Sequence, residues 1–241
     1  MLPGSAPEDK KRLAPFKKKL QLGVAEMFIV KERIQGVPPE LLKLYQSVCT
    51  STVGHMTDFG FITDLQPLFR PIRFVGNAVT VRIPHVDSTA VHKSLDLVQP
   101  GDVLVIETAG DDRRACFGEM VAYAAKLRGV AGVVLSGRIT DYQALVELKL
   151  PVYSSGVSPL TTRILGLEGQ INVPVSVDGV TINPGDLVLA DDDGVLVLNP
   201  AVAREYGERA IEKQNGEPAT KRQLAAGKSL AALSKAAAYF E

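Results

Sequence analysis

The stretch FGEMVAYAAKLRGVAGVVLSGRITDY, residues 117–142, constrains the fold more than any other part of the chain. From Phe117 to Leu127 the apolar residues Phe117, Met120, Val121, Ala124, Ala125 and Leu127 recur at helical spacing, and Gly129 stands where a helix would stop. Val130–Leu135 is then apolar throughout, too short for an independent helix and bounded by Gly129 and Gly137, as suits a strand covered on both faces. The loop Ser136–Asp141 leaves the carboxyl end of that strand, which is where ligands bind in open α/β sheets. Glu119 falls in the first helical turn, where exposed N–H groups and the helix dipole attract anions. The unit therefore places two carboxylates, Glu119 and Asp141, at one rim, where they could hold a divalent cation. The plainer alternative is that Glu119 complements the dipole and Asp141 caps a helix over Tyr142–Leu148.

Further strands are expected at Ala78–Ile83, Val103–Glu107, Val152–Ser154, Val173–Val177, Leu187–Ala190 and Val195–Leu198. Helices separate only some of them, so the pattern is mixed α/β rather than a pure βαβ repeat. Pro100-Gly101-Asp102 and Pro184-Gly185-Asp186 each introduce an apolar strand as tight turns. Asp191-Asp192-Asp193-Gly194 lacks the alternating ligands and distal Glu of a calcium loop, and Asp193–Gly194 reads instead as a turn between two strands.

Three regions follow: residues 1–45, a core of 46–200, and an extension of 201–241. The first fifteen residues are rich in Pro, Gly and charge and read as a tail, with Lys10, Lys11, Arg12 and Lys17–Lys19 interrupted by Glu8 and Asp9 from forming one basic block. A helical pattern spans about Phe16–Ile34, and Pro38–Pro39 opens another element through Tyr45. Beyond Pro200 a helix is expected over 201–213 and a break at Asn215-Gly216-Glu217-Pro218. An Ala- and Leu-rich segment with Ala225, Ala226, Leu230, Leu233 and Ala237 then offers an apolar docking face.

The 27 basic and 27 acidic residues balance, leaving no chain-wide electrostatic footprint for nucleic acid. No apolar run reaches the length of a membrane span and the N-terminus lacks the apolar region of a secretory signal, so a cytoplasmic location is expected. Cys49 and Cys116 are too few for a disulfide framework and have no metal-site spacing. Cys116 lies close to Glu119, but no His is nearby in sequence to activate it, and a small buried hydrophobe is the simpler reading. His55, His85 and His92 are scattered and support neither a zinc site nor a His base.

Several ordered phrases together resemble the RraA-like family. It includes the regulator of ribonuclease activity A and the class II pyruvate aldolases that cleave 4-hydroxy-4-methyl-2-oxoglutarate and 4-carboxy-4-hydroxy-2-oxoadipate. The phrases are STVGHMTDFG (51–60), FVGNAVTVRI (74–83), QPGDVLVIE (99–107), FGEMVAYAAKLRGVAGVV (117–134), LKLPVYSSGVSP (148–159) and NPGDLVLADDDGVLVLNP (183–200). The resemblance implies an α/β fold with a swivelling β/β/α core, here carrying N-terminal and C-terminal helical extensions. It implies a trimeric or hexameric assembly with sites between subunits, to which a carboxylate such as Glu217 could contribute.

The aldolase branch carries an acidic residue, twenty intervening residues and then Arg-Asp; Glu119, residues 120–139 and Thr140–Asp141 occupy that frame. The resemblance implies that Asp141 binds Mg²⁺ or Mn²⁺ directly, that Glu119 holds its water shell, and that the N–H groups of Met120 and Val121 after Gly118 receive the carboxylate of a 2-oxo acid. A hard cation that keeps several waters needs only one or two carboxylates. Bound at the 2-oxo group, it would act as a Lewis acid toward a pyruvate enolate.

Thr140 departs from the pattern, because it cannot offer a charged bidentate grip. Arg138, two residues away and on the same side of an extended segment, is a candidate replacement; its alternative is a surface arginine. The expected activity is metal-dependent cleavage of a short 2-oxo acid, by retro-aldol reaction or decarboxylation of an oxaloacetate-like substrate. The alternative is a catalytically silent regulator that masks a protein partner and influences RNA metabolism.

Overall fold

The computed structural model describes residues 27–240. Its strands are β1 (Phe28–Val30), β2 (Phe61–Ile62), β3 (Gln66–Pro67), β4 (Phe74–Arg82), β5 (Val103–Glu107), β6 (Ala115–Phe117) and β7 (Gly132–Leu135), followed by β8 (Arg138–Ile139), β9 (Val152–Ser154), β10 (Gly169–Ile171), β11 (Val175–Val177), β12 (Val180–Ile182), β13 (Leu187–Asp191) and β14 (Gly194–Leu198). The helices are α1 (Pro39–Tyr45), α2 (Thr50–Val53), α3 (Thr89–Ser94), α4 (Glu119–Leu127), α5 (Tyr142–Leu148), α6 (Pro200–Ala225) and α7 (Leu230–Leu233).

The long strand β4 joins two layers. Its first half pairs antiparallel with β13, Ala190 opposite Phe74, while its second half runs parallel to β5 from Ala78 to Arg82. Strands β4, β5, β7 and β9 form a parallel sheet in that order. Strand alternation divides its side chains between two cores. Leu104, Ile106, Val133 and Leu135 face Ala90 and Val91 of α3, Ala122 and Ala125 of α4 and Leu145 of α5. Val103, Val105, Val134 and Tyr153 face the β11–β12 hairpin and β13. A third core forms where Leu187, Leu189, Leu196 and Leu198 of the β13–β14 hairpin meet Leu41 and Tyr45 of α1 and Ala203 and Ala210 of α6. This layered α/β core with a C-terminal helical extension is the expected architecture.

Three local expectations are corrected. Part of the N-terminal helical pattern, Phe28–Val30, is a strand, because it pairs parallel with β10 in the sheet; residues 16–26 of that pattern lie outside the described residues. Phe117 belongs not to the helix but to β6, whose pairing with β8 brings Phe117 opposite Ile139 and buries it completely. The helix starts two residues later at Glu119. Finally, Asn215–Pro218 does not break the C-terminal helix, which is continuous from Pro200 to Ala225 with Pro218 inside it. A helix-interior proline costs about 3 kcal/mol. Helix formers from Ala219 to Ala225 and the anchored turns before Gln214 propagate the helix on either side and outweigh that cost. The Asp191–Gly194 segment is the hairpin turn that the sequence suggested, with Asp191 paired to Gly194. Among the described residues no helix is long and apolar enough to cross a membrane.

Candidate active site

The two strands β6 and β8 are short, but they set the site. Their parallel pairing holds the chain entering α4 beside the chain entering α5, and Thr140 N donates to the Phe117 carbonyl at 3.0 Å. Gly118 then precedes α4 in an extended conformation and Asp141 precedes α5. The Asp141 backbone is left-handed, φ 55°, a conformation that Asp tolerates better than most residues.

Asp141 sits at the position that begins α5, yet its side chain does not cap that helix. Its Oδ2 instead accepts the backbone N–H of Glu119 at 2.9 Å, the first residue of the neighbouring helix. Asp141 is thus the anion at the N-terminus of α4, which corrects the plainer reading of its role. Its Oδ1 lies 3.3 Å from the Thr140 hydroxyl, which donates to it. The close approach depends on Gly118: a Cβ there would stand 2.6 Å from Asp141 Oδ2 and 2.6 Å from Thr140 Cγ2. The first intrahelical bond of α4 runs from Ala122 N to the Gly118 carbonyl, so helix geometry leaves the N–H groups of Met120 and Val121 without a carbonyl in their own helix. Glu119 and Asp141 are both exposed, Val121 is half-buried, and Met120 is 75% exposed.

Arg138 is anchored away from this pair. Its Nε donates to the Asp112 carbonyl, its Nη1 to the Val157 carbonyl at 3.5 Å, and the guanidinium packs over Gly156, where a Cβ would come within 2.9 Å of Nη1. The loop that supplies Asp112 is itself pinned by the buried Asp111. That carboxylate accepts the N–H groups of Arg113 and Arg114 and pairs with the Arg114 guanidinium at 2.9 Å. Burial pushes Asp111 up, but the Arg113 N–H, the Arg114 guanidinium and the Arg114 N–H together hold it below the ordinary carboxylate value. In the sequence, Asp111-Asp112-Arg113-Arg114 looks like solvated surface because four charges are consecutive; the local signal for the turn is an Asp whose oxygen can meet the N–H groups two and three residues on. Cys116 is buried, and burial raises its thiol to about 12, consistent with a packing role.

Among the described residues, no cluster of three or more His, Cys, Asp or Glu is placed to hold a metal ion. Glu119 and Asp141 nonetheless suit a hard cation that retains most of its waters. Both supply only oxygen donors and lie open to solvent, and the Asp141 carboxylate stands over the backbone at Gly118, in space that a Cβ there would fill.

A family model described as Aldolase/RraA, RraA-like, matches residues 48–197. The chain belongs to the RraA-like family. Among its relatives, the "Putative 4-hydroxy-4-methyl-2-oxoglutarate aldolase" of Halalkalibacterium halodurans is 33% identical over 187 residues, covering 77% of this chain and 89% of that protein. A protein of the same name from Azotobacter vinelandii is 36% identical over 164 residues, covering 68% of this chain and 94% of its own length. Among solved structures, RraAS2 of Streptomyces coelicolor, described as an unusual member of the RNase ES inhibitor RraA family, superposes with a TM-score of 0.71 at 30% identity, covering 78% of this chain and 98% of that chain. The matched region of this RraA-like chain takes in α4, β8 and the start of α5 and stops short of α6.

Proposed function

We propose that this RraA-like protein is a divalent-metal-dependent lyase that cleaves a short 2-oxo acid to release pyruvate. The observation that carries this reading is the Asp141 carboxylate at the N-terminus of α4, held by the Glu119 N–H beside the N–H groups of Met120 and Val121, which have no carbonyl partner in their own helix. A carboxylate for a cation and a pair of donors for an anion stand within one helical turn, as recognition of a 2-oxo carboxylate requires. Relatives named as 4-hydroxy-4-methyl-2-oxoglutarate aldolases support that substrate class, and an oxaloacetate-like acid shares the same reacting end.

In this reading Asp141 ligates Mg²⁺ or Mn²⁺ directly and Glu119 hydrogen-bonds to its waters. The bound cation supplies Lewis acidity at the 2-oxo group. Met120 and Val121 orient the substrate through its carboxylate, and Gly118 keeps the floor of the site open. Thr140 steadies Asp141 through its hydroxyl but adds no positive charge, so Arg138 is the group that can stabilise the developing enolate, provided it exchanges its carbonyl partners for substrate. The exposed apolar residues Met120, Tyr123, Leu127 and Tyr142 beside the site support a homotrimer or hexamer in which a neighbouring subunit covers this face.

The uncharged Thr140 also favours a second reading, a silent relative that acts by binding a protein partner. A steady-state assay of pyruvate release from oxaloacetate and 4-hydroxy-4-methyl-2-oxoglutarate, with Mg²⁺ and then chelator, separates the two. Arg138→Ala is expected to reduce turnover by about 10²-fold or more, and Thr140→Arg to change it little, if Arg138 supplies the charge. A rise with Thr140→Arg and no loss with Arg138→Ala would move that role to position 140. Inertness of the wild type and both variants toward every 2-oxo acid, with metal still bound, would replace the lyase by the binding role.

A further inference from the structure

A cavity of about 290 Å³ opens at the carboxyl end of β4, and Arg82, His85, Ala109, Glu168 and Gln170 line it. The β10–β4 ladder sets two of these by pairing Gln170 opposite Arg82, while His85 and Glu168 lie on the chain just beyond Arg82 and just before Gln170. Arg82 Nε stands 3.6 Å from Glu107, which is too long for a hydrogen bond, and Glu107 is itself held by the Ser176 N–H at 3.2 Å. The Arg82 guanidinium therefore keeps its donor capacity while the acid behind it fixes its position. Arg82, His85 and Glu168 are exposed, so the cavity is an open cleft on which a guanidinium, an imidazole, a carboxylate and an amide converge, the kind of placed polar groups that fix a ligand's orientation.

We propose that this cavity binds a small dipolar carboxylic acid, one that carries a hydroxyl or ammonium group next to its carboxylate. The planar fork of Arg82 matches the carboxylate, with His85 as a second donor. Glu168 and the Gln170 carbonyl match the donor end. With one Arg against one Glu, the lining favours neither a polyanion nor a polycation. The volume, at the lower end of the ~300–1,000 Å³ range of small-molecule sites, restricts the ligand to a few heavy atoms. The position, outside the carboxyl ends of parallel strands, is a favoured one for ligands in α/β folds.

The loop after β5 runs from the cavity wall toward Arg138. Ala109, with φ 48°, forms part of that wall, and three residues on, the Asp112 carbonyl receives Arg138 Nε. Binding itself stands independently of the lyase reading.

Isothermal titration calorimetry on the full chain tests it, with L-alanine and L-lactate as two-ended probes and acetate as the carboxylate-only control. Saturable binding of L-alanine or L-lactate is expected, with acetate weaker by about tenfold. Tighter L-alanine marks an amino acid and tighter L-lactate a hydroxy acid. Arg82→Gln, at an exposed side chain, is expected to weaken the better probe by about tenfold or more. His85→Gln should weaken it less, and Asp141→Ala should leave it unchanged. No saturable binding of either probe at millimolar concentration would overturn the proposal, as would unchanged affinity in both Arg82→Gln and Glu168→Gln. Loss of binding in Asp141→Ala would also overturn it, by moving the probe to the candidate active site.

Discussion

At the scale of single residues, the site rests on one contact between two helix starts. Asp141 does two things: its left-handed backbone turns the chain from β8 into α5, and its carboxylate serves the N-terminus of α4. Asp141→Ala is expected to cost about 1 kcal/mol of stability, as the loss of a helix cap does, and to abolish Mg²⁺- or Mn²⁺-dependent turnover. Calorimetric metal titration with thermal melts checks both, and unchanged metal affinity would sink the assignment of Asp141 as ligand. Glu119→Ala should impair turnover less evenly between the two metals, because a carboxylate that acts through water depends on how readily each cation keeps its waters. Gly118→Ala is the subtler test. Its new Cβ would stand 2.6 Å from Asp141 Oδ2 and displace the carboxylate without emptying any core. Turnover should fall by about 10²-fold while stability falls by about 1 kcal/mol, comparable to Asp141→Ala, since a misplacement of about 1 Å is enough for that loss of rate.

At the scale of elements, β6 and β8 decide the site although each is only two or three residues long. Cys116 lies within β6, and burial raises its thiol to about 12, whereas Cys49 is half-buried. Titration with a disulfide reagent at pH 8 should therefore count one accessible thiol in the folded protein and two after denaturation; two fast thiols in the native state would contradict the burial of β6. Loops behave in a parallel way. Asp87 is fully buried and accepts the N–H groups of Thr89, Leu165 and Leu167 and the Thr89 hydroxyl, tying the β9–β10 connection to α3. Burial pushes its carboxyl up, but the Thr89 hydroxyl and the three N–H groups outweigh it and hold Asp87 below its ordinary value of 3.8. A depressed folded-state value contributes stability that is present above the unfolded value and lost as pH falls through the folded one. Stability should therefore hold from neutral pH down to about 4 and decline below that. Asp87→Asn should be less stable at pH 7 and show a shallower acid decline in denaturant titrations.

At the scale of the whole molecule, α6 leaves the core part-way along its length. Ala203, Gly207 and Ala210 are buried, and Gln214 bonds to the Cys49 N–H and the Ser47 carbonyl, but no later residue of the helix is buried. Beyond it Tyr239 and Phe240 are each 90% exposed. If this extension and the apolar face beside the candidate site serve assembly, sedimentation velocity should show a trimer or a multiple of it. Deletion from residue 215 onward should weaken that assembly while leaving the core folded, since none of the described residues it removes is buried. A stable, fully active monomer would refute the intersubunit site.

The elements read best from sequence were those whose signal is local. Val103–Glu107, Val152–Ser154 and the helix Tyr142–Leu148 appear with the expected bounds, because apolar runs and amphipathic turns carry their own periodicity. The family and the α/β architecture follow from several such phrases in order, and the same helix–strand unit brings the start of α4 to Asp141, whose carboxylate accepts the Glu119 N–H. Tertiary structure decided what depends on a distant partner. Phe28–Val30 is a strand only because β10 is there to pair with it, and Phe117 is a strand residue only because Ile139 lies opposite. The orientation of Arg138 is set by carbonyls 26 and 19 residues away. The direction of the Asp141 carboxylate, toward the helix before it rather than the helix it begins, was equally out of reach of a local pattern. Periodicity records which face of an element is buried, whereas the partner of a polar group is set by which chain ends the fold brings together.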